Sequence, residues 1–209
     1  MELGLNGKIA LVTGGSDGIG FSAANEMALE GAEVIICARN QNNLDIAANS
    51  IKENTGRDVT TKSCDVTSSE AVAQLFKEIT DKFGGIDILV NNAGTSSAHP
   101  FLNADEEIWD YDIDLKLFGA IRCSQNAVPI MRSRGGGRII NITTPGGKAP
   151  GAGSVPTSVT RAAGIALTKA MSKDFASDNI LVNTVCVGLI KSGQHRIRWE
   201  NSDKKLSLD

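Results

Sequence analysis

A chain of 209 residues, 41% hydrophobic and 22% charged, has the make-up of a globular domain: long enough for one well-buried core and short for two. A net charge of -3, scattered basic residues and 4% aromatics provide neither the field nor the stacking platforms that nucleic acid needs, so no such partner is expected. No apolar run approaches the roughly 20 residues of a membrane span, and no membrane partner is expected either.

The opening MELGLNGK has no basic leader segment, and the apolar run that follows is only strand length. Strands are predicted at Lys8–Thr13, Glu33–Cys37, Val59–Lys62, Ile86–Val90, Arg138–Ile142 and Ile180–Val185. Their near-continuous Val and Ile runs, rather than alternation, mark a sheet covered on both faces. Helical period fills the gaps at 18–30, 41–54, 68–83, 105–132 and 157–177. Asn40 opens the second helix, Thr67-Ser68-Ser69 with Glu70 following opens the third, and Gly31 stops the first. Regular alternation of this kind predicts a single α/β domain, residues 1–209, with a Rossmann-type doubly wound parallel sheet in three layers. The Gly/Pro-rich segment PGGKAPGAG (145–153) falls between a strand and a helix, where a substrate-facing loop is expected rather than a linker.

The four cysteines, Cys37, Cys64, Cys123 and Cys186, lie in or beside apolar runs without paired spacing. They read as reduced, mostly buried thiols of a cytoplasmic protein. With His99 and His195 the only histidines, no metal site is expected.

The first strand runs into TGGSDGIG (13–20). Gly14, Gly18 and Gly20 permit a tight turn and a close backbone approach to a pyrophosphate, with Ser16, Asp17 and Ile19 completing the loop. The N-terminus of the next helix adds free N–H groups and a positive dipole. Such a motif is weak alone, but here it joins a strand to a helix at the front of a βαβ unit. After the second strand, where an NAD site usually places an acid, the chain has Ala38 and then Arg39. A guanidinium can grip a 2′-phosphate that a carboxylate would repel, and Ser16 can add a hydroxyl. NADP(H) is therefore favoured over NAD(H), with Arg39 as a solvated loop cation the alternative.

TGGSDGIG, Asp65-Val66, Asn91-Asn92-Ala93-Gly94, and Asn183 before the turn Val187-Gly188 together resemble the short-chain dehydrogenase/reductase family over residues 6 to 192. The resemblance implies adenine contacts from Asp65 and Val66. It implies that Asn91, Ala93 and Gly94 line the ribose side, and that Gly188 and Ile190 flank the nicotinamide. It also implies a small-molecule alcohol or carbonyl substrate, and a homodimer or homotetramer. The small and apolar residues around helices 105–132 and 157–177 agree with burial against both sheet and a second subunit.

The family's active site pairs a Tyr with a Lys four residues on, so that the ammonium lowers the phenol pKa. A Ser lies thirteen residues before that Tyr, and an Asn on an earlier helix. Here Thr157 and Arg161 stand at the Tyr and Lys positions, Thr144 at the Ser and Lys116 at the Asn. A threonine hydroxyl is far less acidic than a phenol, and an arginine stays protonated, so another proton donor is needed. Lys116, Lys148 and His99 are the candidates, each set against a plain solvated role. Thr144 and Thr157 would orient the substrate oxygen while Arg161 fixes the ribose. The rival reading is a nucleotide-binding protein without redox activity: a sensor, a partner subunit or a non-redox lyase.

Residues 191–209 read as a substrate lid or tail, in which Lys191, His195, Arg196 and Arg198 could attract an anion or be merely solvated. A further helix and strand of the family pattern are missing after it. Trimming of the sequence is the expected reason, since the sixth strand would otherwise expose its backbone and an apolar face.

Overall fold

The computed structural model describes residues 3–188 and residue 190. Eight strands and six α-helices follow one another as β1 (Ile9–Thr13), α1 (Gly18–Leu29), β2 (Glu33–Ala38), α2 (Gln41–Thr55), β3 (Thr60–Ser63), α3 (Ser69–Phe83), β4 (Ile88–Asn91), β5 (Ala98–His99), α4 (Glu106–Ile113), α5 (Gly119–Ser133), β6 (Gly137–Thr143), β7 (Val155–Pro156), α6 (Thr157–Asp174) and β8 (Ile180–Cys186). Six strands form one parallel sheet in the order β3-β2-β1-β4-β6-β8. The central strand β1 is buried along its whole length, whereas the polar edge strand β3 is half-exposed. That contrast follows from burial on both faces at the centre of a doubly wound sheet.

Strand alternation divides the apolar side chains between two cores. Ala10, Val12, Val34 and Ile36 pack against α1 and α2 through Ala24, Ala28, Leu44 and Ile51. Leu11, Ile35, Leu89 and Ile139 face the other way, against Phe76 and Ile79 of α3 and Ala127 and Met131 of α5. The helices start where local chemistry satisfies their first N–H groups. Asp17 accepts from Gly18 N (2.7 Å), Asn40 from Asn43 N (3.0 Å) and Ser68 Oγ from Ala71 N (3.1 Å).

Three expectations need correction. The helix expected over 105–132 is interrupted: α4 ends at Ile113, a π-helical turn spans Asp114–Phe118, and α5 begins at Gly119. One surplus residue per turn is absorbed there, and a Cβ on Gly119 would come within 3.0 Å of Val66 Cγ2. The segments 98–99 and 155–156, read as loop and helix lead-in, pair as a small antiparallel ribbon. Strands β3 and β4 each begin one or two residues later than their apolar runs, because pairing with β2 and β1 sets their ends. Among the described residues β8 pairs only with β6. Its Leu181 and Val185 are 45% and 46% exposed, on the side away from Ile180 and Val182. The predicted lid 191–209 lies outside the described residues.

Candidate active site

At the carboxyl end of β1 the chain turns back on itself. Gly14 and Gly18 sit at φ +64° and +58°, where a side chain is strained, and a Cβ on Gly20 would come within 2.3 Å of the Gly14 carbonyl oxygen. Gly14 N and Gly15 N donate to the Cys37 carbonyl (2.8 and 3.2 Å), which ties the turn to the end of β2. Asn92 Nδ2 donates to the carbonyls of Thr13 and Gly14 (3.0 and 3.1 Å), and Thr13 Oγ1 accepts from Asn92 N and Ala93 N (both 3.0 Å). The turn is thus held from two sides before any ligand arrives.

Above it opens a cleft of about 310 Å³, within the range of small-ligand sites. One end is built from Ser16, Asp17, Gly18 and Ile19, the other from Thr143, Thr144, Arg161, Val187, Gly188 and Ile190, with Asn92 and Gly94 between. The Asp17 carboxylate is occupied by Gly18 N, so the turn presents backbone N–H groups at a helix N-terminus, the surface an anion prefers. A turn packed too closely on its neighbours to admit a Cβ at Gly14, Gly15 or Gly20, opening onto such a terminus, fits a pyrophosphate.

The adenine-side residues are placed less directly. Arg39 is exposed just past β2; its Nη1 donates to Tyr111 Oη at 3.5 Å, and its carbonyl accepts from Ser63 Oγ. The Asp65 carboxylate accepts from Thr67 N and Oγ1 (3.0 and 2.8 Å), and Val66 is buried against α5. Asn91 is spent in the core: its Nδ2 donates to Asn141 Oδ1 (2.8 Å) and Ser124 Oγ (3.2 Å), binding β4 to β6 and α5. The neighbour that lines the cleft is Asn92.

Of the predicted catalytic residues Thr144 and Arg161 line the cleft, whereas Lys116 and Thr157 lie outside its lining. The π-helical turn points Lys116 into the interior, where its side chain is 3% exposed. Its Nζ pairs with Asp112 and donates to Thr157 Oγ1 at 2.6 Å. Thr160 Oγ1 donates to the second oxygen of the same carboxylate at 2.7 Å. Burial, the dominant cause, pulls Lys116 down to about 8 against the pull of Asp112, and the Arg161 guanidinium lowers it further. Arg161, one helical turn after Thr157, donates through Nη1 to the Ile142 carbonyl at 2.7 Å, and burial lowers its pKa as well. Arg161 and Lys116 also line an inner cavity of about 30 Å³ with Thr13, Asn91, Asn141 and Thr143.

The other two proton-donor candidates stand apart. Lys148 is exposed after the 3-10 turn Pro145–Gly147, and His99 is held in the β5–β7 ribbon, outside the lining of both cavities. The loop from 145 does meet the site, since a Cβ on Gly147 would lie 2.9 Å from the Arg161 backbone. Asp112 and Thr160 were not anticipated, although Asp112 lies one helical turn before Lys116 and the spacing alone allows the pair.

The family description "short chain dehydrogenase" matches residues 8–203. The chain is 35% identical to the human dehydrogenase/reductase SDR family member 4 over 208 residues, covering 98% of this chain and 73% of that protein. It is 36% identical to a 3-oxoacyl-(acyl-carrier-protein) reductase of Vibrio cholerae over 190 residues, 91% of this chain and 76% of that one. Among solved structures, the L-sorbose reductase of Gluconobacter frateurii complexed with NADPH and L-sorbose superposes with a TM-score of 0.93 at 36% identity, over 98% of this chain and 78% of that one. An NAD⁺-bound xylitol dehydrogenase superposes with a TM-score of 0.88 at 31% identity, over 94% and 75%.

Proposed function

The chain belongs to the short-chain dehydrogenase family of oxidoreductases, and on that footing we propose that it is an NADP(H)-dependent enzyme interconverting a carbonyl and an alcohol, with Lys116 in place of the family's phenol as proton source. The observation that carries the reading is the chain of contacts from Asp112 to Lys116 to Thr157, with Arg161, which lines the cleft, sharing the inner cavity with Lys116.

A nicotinamide dinucleotide would supply or accept the hydride. The turn between Thr13 and Gly20 holds its phosphates, and Arg39 with Ser16 grips the additional 2′-phosphate. Asp65 and Val66 serve the adenine side, Asn92, Ala93 and Gly94 shape the ribose side, Arg161 holds ribose hydroxyls, and Gly188 and Ile190 close on the nicotinamide. Thr144 and Thr157 orient the substrate oxygen. Thr157 passes a proton to that oxygen and takes one from the Lys116 ammonium, whose charge Asp112 balances. A threonine hydroxyl cannot serve as the reservoir, because it is too weakly acidic. A lysine lowered to about 8 can.

The reading extends to the assembly and its setting. Exposed Ala162, Ala166 and Ala170 repeat every four residues along α6 and support a homodimer or homotetramer; the buried free thiols of Cys37, Cys64 and Cys123 suit a reducing cytoplasm.

Incubation of the purified protein with NADPH and a panel of ketones and aldehydes tests the proposal. Turnover is expected, with NADPH at least about tenfold preferred to NADH, and Arg39→Ser is expected to erase that preference. Binding of NADPH without turnover of any carbonyl would move the chain to the non-redox class.

A further inference from the structure

We propose that the substrate is an oxo acid, whose carboxylate sits against Arg161 and Lys116 beside the reacting carbonyl. The inference rests on reading the inner end of the cleft as the substrate site, and it concerns what kind of molecule that end accepts.

The argument is one of charge. Lys116 and Arg161 flank Gly94, on which a built Cβ would lie 3.4 Å from Lys116 Cγ and 3.5 Å from Arg161 Nη2. One carboxylate, that of Asp112, serves both cations, and both its oxygens are engaged, by Lys116 Nζ and Thr160 Oγ1. Among the described residues no carboxylate lines the inner cavity itself, and Asp17, in the outer cleft, is turned onto Gly18 N. Two buried cations against one buried anion leave a positive charge uncompensated, an arrangement that is costly unless a bound group completes it.

Hydrogen bonding points the same way. Arg161 Nη1 is satisfied by the Ile142 carbonyl, but Nε is buried and has no hydrogen-bond partner among the described residues. Ribose hydroxyls could satisfy that N–H, yet being neutral they would leave the charge as it was. An acceptor that brings a negative charge does both. The inner cavity of about 30 Å³ is small, which suits a compact anionic group such as a carboxylate better than a phosphate ester. The rest of the lining is uncharged: polar side chains of Thr13, Asn141, Thr143 and Thr184 lie beside apolar Leu115 and Leu167.

The test compares acids with their own esters. Pyruvate against methyl pyruvate, and acetoacetate against methyl acetoacetate, are titrated calorimetrically into the wild-type protein, both alone and saturated with NADP⁺. Both pairs are also assayed with NADPH. The acids are expected to bind at least about tenfold more tightly than the esters. Arg161→Gln is expected to remove that difference, provided its melting curve shows a folded protein; the wild-type comparison stands without it. Esters that bind or turn over as well as the acids overturn the proposal. Preferential acid binding with no NADPH oxidation upholds the oxo-acid site while defeating the redox reading. Turnover of esters alone does the reverse.

Discussion

Lys116 carries more of the proposed chemistry than any other side chain, and its environment fixes the sign of the pH response. Reduction of a carbonyl needs the ammonium form. Burial has lowered its pKa to about 8, so the reduction rate should fall as pH rises through that value while alcohol oxidation rises. Lys116→Met should cost about 10²-fold or more in kcat and abolish the inflection in a pH–rate profile. The single variant would also strand the Asp112 carboxylate in the interior, a change typically costing about 3–5 kcal/mol. Asp112→Asn with Lys116→Met removes both charges and separates the two effects: a refolded but still inactive double variant supports the proton role, and recovered activity refutes it. This lysine stood out in the sequence because the resemblance sets it at the family's Asn position. Its partner Asp112 was not singled out, because an acid among several in DEEIWDYDID carries no signal until the fold buries one of them. The reverse happened at Asn91, whose motif placed it beside the ribose but whose amide is consumed by Asn141 and Ser124.

At the level of elements, the glycine turn was readable because it is a local matter: four residues without Cβ, Gly14, Gly15, Gly18 and Gly20, where a strand gives way to a helix. What the sequence could not convey is how tightly Asn92 and β2 clamp it from elsewhere in the chain. Gly20→Ala would drive a Cβ to 2.3 Å from the Gly14 carbonyl oxygen and 2.4 Å from Asn92 Nδ2, both parts of that clamp. Overpacking of this kind costs about 1–3 kcal/mol and displaces the N–H groups proposed to hold the phosphates. The variant should therefore melt several degrees lower and lose measurable NADPH binding by calorimetry. Unchanged affinity would detach the turn from cofactor binding. The π-helical turn at Asp114–Phe118 shows the opposite limit of legibility. Helical period runs on through 105–132 with only a one-residue slip, too small to register in the pattern but enough to turn Lys116 inward.

The whole molecule presents a face that its own fold leaves open. Beyond the exposed alanines of α6, Ile121, Val128, Pro129, Leu167, Met171 and Phe175 line a groove of about 350 Å³ between α5 and α6. The two helices were expected to be covered on two sides because small apolar residues run around them, and the sheet accounts for only one side. Parallel strand order followed from alternation alone, since each helical crossover admits one handedness; which outer face meets another chain depends on a partner that the sequence does not describe. Ala166→Glu probes this directly. On an isolated helix surface it should change stability by no more than about 0.5 kcal/mol. In a self-associated protein the same carboxylate would be buried against its symmetry mate without a counter-charge. Sedimentation at several concentrations should then show the wild type assembled and the variant at least about tenfold weaker in association, with an unchanged far-ultraviolet spectrum. Equal sedimentation of the two proteins would place the interface elsewhere, and the open α5–α6 face would need a different occupant.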